Sequence, residues 1–312
     1  MTRLLTLAAA VTLLLAAPAA PATAPQWRPI PLTGSAPRVL GFAAGRVWIA
    51  SGSTVLSATV SGGRLGGFVA TTIAGASPWL FGDALVSGST MTPLLANGQL
   101  GAAAPLPAPA QAAVTAGGRT IWVAAGAAPA SLTVCCTQAG DPVALTPLLA
   151  GRPARPGSPA LGLDTENRLW VAWTDAGQTG HLVQLDPATL NGVTANTVSP
   201  VRGPAYLGCA ATCRLFYESS VGVFAWRGIG GAALILATPG SLLAAGVRDG
   251  HLELATRERQ RLVFRRGAPT GTGLRVVASI GGVTARAAAA GTPRGLVAVQ
   301  ADGHRVEAAV LG

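Results

Sequence analysis

Apolar residues in this chain come in short runs separated at close intervals by Gly, Asp, Asn and Ser, the signature of short antiparallel strands. The clearest instance lies at 158–190. It reads Ser-Pro-Ala-Leu-Gly-Leu-Asp-Thr-Glu-Asn-Arg-Leu-Trp-Val-Ala-Trp-Thr-Asp and, after a polar turn, Gly-His-Leu-Val-Gln-Leu-Asp-Pro-Ala-Thr-Leu. Its apolar runs at 160–163, 169–173 and 182–185 are parted by Asp/Glu/Asn or Asp/Gly/Gln turn chemistry, which predicts a β-meander with a last strand near 193–198.

The same order recurs along the chain. Strands are predicted at 38–42, 46–51, 54–60 and 67–73, then at 77–81, 84–87, 92–96 and 100–106. A third unit reads 111–116, 119–125, 130–136 and 143–149, a fifth 205–209, 213–218, 221–227 and 232–237, and a sixth 241–247, 251–256, 261–266 and 274–280. The last unit has only three strands, at 283–290, 295–300 and 304–311, while an unpaired strand stands at 26–32. The two deficits are complementary: pairing them leaves no free sheet edge where the chain ends meet.

Trp48, Trp122 and Trp170 occupy the second strand of their units, and successive units step by about 40 residues. Four strands at that period predict an all-β fold, a β-propeller of about seven four-stranded blades, with six to eight as the range. A pair of β-sandwiches would also give short strands. It leaves unexplained why Gly-Arg-Val-Trp, Arg-Thr-Ile-Trp and Asn-Arg-Leu-Trp recur at one place in each unit. The three tryptophans read as core, whereas Trp173 shares a face with Val171 and sits nearer a loop.

Composition adds a compartment. Met1-Thr2-Arg3, an uncharged apolar run at 4–17 and small residues at 17–24 have the layout of a secretory leader, with cleavage predicted after Ala22. Residues 23–312 then form one domain, exported to the periplasm, the cell surface or the medium, without a membrane span and monomeric. Only 11% of residues are charged and 50% are hydrophobic, with 41 Gly and 23 Pro, so the chain is too apolar for disorder. All 22 basic residues are Arg and the net charge is +10, which favours anionic partners. For an exported protein these are an anionic envelope polymer or a protein, and nucleic acid is not expected. In such a compartment the four cysteines suggest disulfides. Cys209 and Cys213 flank a tight hairpin and are predicted to bridge, while Cys135 and Cys136 are either free, bonded elsewhere or joined to each other.

In a propeller, the loops between second and third strands, together with those entering the next blade, surround one mouth of the channel. The polar residues this places there are Asp175 and His181, Glu218, Arg257, Glu258 and Arg259, and Asp302 and His304. They are candidate ligand-binding residues, though each also suits a turn or a solvated surface. No ordered nucleophile triad, phosphate loop or paired-cysteine metal motif occurs, and neither catalytic residues, metal nor cofactor are assigned. The run Arg257-Glu-Arg-Gln-Arg-Leu-Val-Phe-Arg-Arg266 is the densest charge cluster, predicted to bury one strand face and present guanidinium groups on the other.

Asp164-Thr-Glu-Asn-Arg-Leu-Trp-Val-Ala and Gly180-His-Leu-Val-Gln-Leu-Asp-Pro-Ala-Thr resemble the repeats of bacterial exported propellers of the NHL, YVTN and streptogramin-lyase-like group. Gly45-Arg-Val-Trp-Ile-Ala and Gly118-Arg-Thr-Ile-Trp-Val-Ala match the same core strand. The resemblance implies the fold, and folds of this kind carry unrelated functions. Its lyases and lactonases hold a divalent metal with converging His, Glu, Asp and Asn side chains, whereas His181, His251 and His304 here fall in different units without an acidic companion at the matching place. Quinoprotein dehydrogenases of related form, some with a vicinal disulfide against the cofactor, supply another reading of Cys135-Cys136. The expectation is a non-catalytic binding or assembly module, with a metal-dependent lyase or lactonase-like enzyme as the alternative.

Overall fold

The computed structural model describes residues 24–75, 77–106, 109–125, 132–136, 143–144, 159–175, 177–190, 192–237 and 240–312. The leader expected at 1–22 and the part of the predicted strand 143–149 beyond Ala144 lie outside the described residues. So do the side chains of Cys135 and Cys136, although their backbone belongs to the strand Leu132–Cys136.

Every regular element among the described residues is a strand, and these strands form seven four-stranded antiparallel sheets. Six sheets run in simple chain order, over 38–72, 79–105, 110–144, 160–198, 202–236 and 241–281. In the remaining sheet Ala288–Thr292, Gly295–Asp302 and Arg305–Leu311 are followed by the N-terminal strand Arg28–Thr33, which pairs antiparallel with Arg305–Leu311. The first strand of each sheet lies against the first strand of the next, from Arg38–Ala43 through the six others, and Ala288–Thr292 packs on Arg38–Ala43. Sheets stacked radially in this way make the chain an all-β propeller.

Local sequence follows from that stacking. A second strand is covered by the neighbouring sheet on either side, so Arg46–Ser51 and Leu169–Thr174 are buried at every position and read as continuous apolar runs. Outer strands have water on more sides, and Gly192–Val198 alternates between exposed and half-buried positions. Tight hairpins join the strands. Gly117-Gly118 and Asp249-Gly250 have φ values of 56°, 74°, 48° and 73°, the paired left-handed residues that a two-residue hairpin turn requires.

The second-strand tryptophans are core, as their sequence position predicts. Trp48 packs with Leu85 and Leu94 of the following sheet, Trp122 with Val86 of the preceding one, and Trp170 with Leu215 and Trp226 of the following one. Trp173, nearer its loop, is also fully buried, against Ile121 and Val123. Each such side chain stabilises the sheet-to-sheet contact by about 2–3 kcal/mol.

Several predicted strands have other bounds. In the second sheet the third strand is Thr90–Pro93 rather than 92–96, since its partner Ala84–Ser87 ends at Ala84, opposite Pro93; a lone bridge joins Leu94 to Leu100 before the short strand Ala104–Pro105. In the last sheet the first strand is Ala288–Thr292 rather than 283–290. Val283 is buried but donates its amide to Gln260 O, so 283–287 forms a connecting segment.

Candidate functional site

Strand order fixes where the polar residues go. In a four-stranded meander the turns between second and third strands, and the crossings into the next first strand, emerge at one end of the sheets, around one mouth of the channel. Asp175, Glu218, Arg257, Arg259, Asp302 and His304 all lie in or beside such turns, and His181 stands one residue inside the strand Gly180–Leu185. They share a face without converging. Arg259, Asp302 and His304 are exposed. Among the described residues no group of three or more His, Cys, Asp or Glu side chains is placed to hold a metal ion.

Two of them form a buried pair. His181 Nε2 lies 3.1 Å from Asp175 Oδ2, and the imidazole stacks on the Trp173 indole at 4.6 Å between centroids with the planes 4° apart. His181 therefore has an acidic companion that its sequence neighbourhood did not reveal. Asp175 Oδ1 accepts the amides of Gly177 and Thr179. Burial pushes the Asp175 pKa up, but the Thr179 amide, His181 and the Gly177 amide together hold it below the usual carboxylate range. With both oxygens engaged and the pair about 4% exposed, the carboxylate braces a hairpin.

Glu218 and Arg257 come together differently, in a cavity of about 510 Å³ between the fifth, sixth and last sheets. Tyr206, Ser241, Leu242 and Leu243 line it with them, and the connecting segment through Ala285, Ala287 and Ala288 closes one side. Glu218 Oε2 accepts the Leu242 amide at 3.0 Å. Arg257 is half-buried and donates to Thr284 O at 3.3 Å and to Ser241 Oγ at 3.2 Å, both neutral. The Tyr206 hydroxyl donates to Leu243 O at 2.6 Å, and burial, with the Glu218 charge nearby, raises its pKa well above the usual value. On the other side of Ala287 a second cavity of about 640 Å³ is lined by Arg38, Arg286, Ser77 and Gly52. Tyr206, Ser241, Arg286 and Arg38 were not singled out in the sequence. The signal available was an arginine at the start of, or just before, a first strand.

The arginine run behaves otherwise than its alternation predicts. Val263 is buried rather than outward, and Arg265 Nη1 reaches Glu258 Oε1 at 2.5 Å and Thr256 Oγ1 at 2.8 Å. Arg266 Nη2 reaches the buried Glu253 Oε1 at 2.6 Å. Two of the five arginines in the run are thus neutralised within the sheet.

At the opposite end, Cys209 and Cys213 form a disulfide across a hairpin. Its turn docks on the preceding sheet: Ala210 O accepts the Thr165 amide at 3.0 Å and Ala211 O accepts Arg168 Nη2 at 3.2 Å.

No protein-family model and no curated protein matches the chain. Solved structures do. BBS1N in complex with ARL6DN, from crystals soaked with lead, superposes with a TM-score of 0.60 at 12% identity over 92% of this chain and 97% of that one. BamB from Moraxella catarrhalis gives 0.47 at 13% identity over 87% and 85%. A quinoprotein alcohol dehydrogenase-like protein from Bacteroides thetaiotaomicron gives 0.49 at 9% over 78% and 66%. At such identities the likeness with BBS1N concerns the fold alone.

Proposed function

We propose that this chain is an exported, non-catalytic binding propeller that presents the loop face around one channel mouth to a protein partner. The observation that carries this reading is the composition of that face. Its carboxylates and imidazoles are either spent on bracing hairpins, as in Asp175 and His181, or dispersed and exposed, as in Asp302 and His304, while arginines and aliphatic side chains line its cavities. Such a surface suits binding: among the described residues it brings together no three His, Cys, Asp or Glu side chains that could hold a metal ion. BBS1N, the neighbour of the same fold, was crystallised in complex with a partner chain, which fits a propeller used as a docking platform.

In this reading the seven sheets are seven blades of a ring shut by the pairing of Arg28–Thr33 with Arg305–Leu311, and the repeats are kin to those of the NHL and YVTN group. The ring gives the loops a rigid base. Residues 1–22 are the export leader, and the mature domain works as a monomer outside the cytoplasm.

Two measurements test this. Residues 1–30 fused to an alkaline phosphatase that is active only outside the cytoplasm should confer activity, and a silent fusion would remove the export step. Mature protein used as bait in envelope extract should capture a partner, and capture should fall when Arg259, Asp302 and His304 are replaced by Ala but not when Arg275, at the opposite end, is. Loss confined to the Arg275 variant would overturn the assignment of the face.

A further inference from the structure

We propose that the two cavities flanking Ala287 form one recognition trough for an acidic, aliphatic peptide segment, with Arg257 and Arg286 as its carboxylate receptors. This rests on the binding-face reading and names the chemistry of the partner. Arg257 is the first argument. A half-buried guanidinium usually has a carboxylate counter-charge, yet its partners are a backbone carbonyl and a serine hydroxyl. It is positioned by neutral groups and keeps its charge available to an anion, in the fork geometry that suits a carboxylate.

Arg286 is the second. It is exposed, lines the neighbouring cavity with Arg38, and stands one residue from Ala287, which borders both cavities. A chain lying across 285–288 would therefore meet one arginine on either side. Glu218 is the only carboxylate among the described residues lining either cavity, and one of its oxygens is engaged by the Leu242 amide.

The walls decide between anionic ligands. Leu242, Leu243, Ala285, Ala287 and Ala288 are aliphatic, and the only aromatic ring among the described lining residues is Tyr206, whose hydroxyl is bound to Leu243 O. Nucleic acids want several exposed stacking platforms, and sugars want flat rings paired with side-chain amides; among the described residues the trough offers a single tyrosine ring and no Asn or Gln. Carboxylates spaced by aliphatic side chains match arginines spaced by alanine and leucine.

The test uses the mature protein and a fluorescein-labelled Glu-Leu-Glu-Leu-Glu peptide followed by anisotropy. Saturable binding that weakens with salt is expected. Arg257→Gln and Arg286→Gln should each weaken it about tenfold, the loss of one charge-assisted contact, and Arg275→Gln should leave it unchanged. Arg286 is exposed in a connecting segment, so that variant folds even if Arg257→Gln does not. Glu218→Gln keeps an acceptor for the Leu242 amide, removes the like charge, and should tighten binding. No binding, or equal loss with Arg275→Gln, overturns the proposal. So does heparin or inorganic phosphate displacing the peptide at lower charge concentration than a leucine-containing competitor. If the Arg257→Gln, Arg286→Gln double variant still captures the extract partner while Ala substitutions at Arg259, Asp302 and His304 abolish capture, the trough is wrong and the binding face stands.

Discussion

Asp164 and Asp175 hold the same post in successive hairpins of the fourth sheet, at opposite ends of the strand Leu169–Thr174. Each accepts the amides two and four residues ahead and a ring nitrogen six residues ahead: Glu166, Arg168 and the Trp170 indole for Asp164, and Gly177, Thr179 and the His181 imidazole for Asp175. The repetition identifies His181 as the counterpart of a core tryptophan. A carboxylate that satisfies two turn amides and tethers the next strand's ring sets the length of a hairpin from within.

Replacing either aspartate with Ala leaves two amides and a buried ring nitrogen short of an acceptor. Each variant should lose about 1–3 kcal/mol, read from the urea midpoint at constant slope. The two sites share no partner, so the losses should add in the double variant.

Acid should expose the same carboxylates. Burial raises both pKa values, but the hydrogen bonds outweigh it and hold Asp164 and Asp175 below the usual range. A depressed folded-state pKa contributes stability that is complete above the unfolded value, near pH 4, and vanishes as the pH falls through the folded value. Melting temperature should therefore drop below about pH 4, and the drop should be shallower in Asp175→Asn, which starts from lower neutral-pH stability.

Gly98 stands where no side chain fits. Its φ is +90°, and a Cβ there would lie 2.3 Å from Ser57 Oγ and 2.7 Å from Arg46 Nε, a pair whose hydroxyl donates to Gly98 O. Gly98→Ala should cost about 1–3 kcal/mol by displacing the buried Arg46. Gly82→Ala, at φ +51° in open space, should cost only the backbone penalty of about 1 kcal/mol.

The disulfide closes a short loop, with a sequence separation of 4, so Cys209→Ala with Cys213→Ala should cost only about 2 kcal/mol by the chain-entropy estimate. Its local effect should be larger. Hydrogen exchange of the Thr165 amide, bound to Ala210 O across the sheet boundary, should accelerate more than that of amides within Leu169–Thr174.

Removing residues 24–33 should leave Arg305–Leu311 as a bare edge. It deletes the buried Ile30 and Leu32 and the Trp27 indole bond to Gly281 O at 2.8 Å. A loss of about 3–6 kcal/mol from the two aliphatic side chains alone is expected, with aggregation visible by light scattering.

Much of this architecture could be read from the chain because each strand carries its own signal. The middles of the second strands are mostly apolar, turns are punctuated by Asn, Asp and Gly, and Trp48, Trp122 and Trp170 mark one depth in the core. The trough was harder to see. Tyr206, Glu218, Ser241, Arg257 and Arg286 come from two sheets and a connecting segment, and no local pattern ties them together. Arg286 also lay in a stretch read as strand, since alternating small residues at 283–290 resemble one until Val283 is found bonded to Gln260. The 257–266 arginines misled for the opposite reason: alternation predicts which way side chains point, and is blind to Glu253 and Glu258 waiting alongside them.

The strand Arg28–Thr33 pairs with Arg305–Leu311, which lies at the far end of the sequence. Ile30 and Leu32 of that strand also share a core cluster with Val47, Ile49, Leu56 and Val60 of the first sheet. A pull applied at Trp27 would therefore load two sheets at once, one through its backbone ladder and the other through its side chains, instead of peeling a single ribbon from an edge.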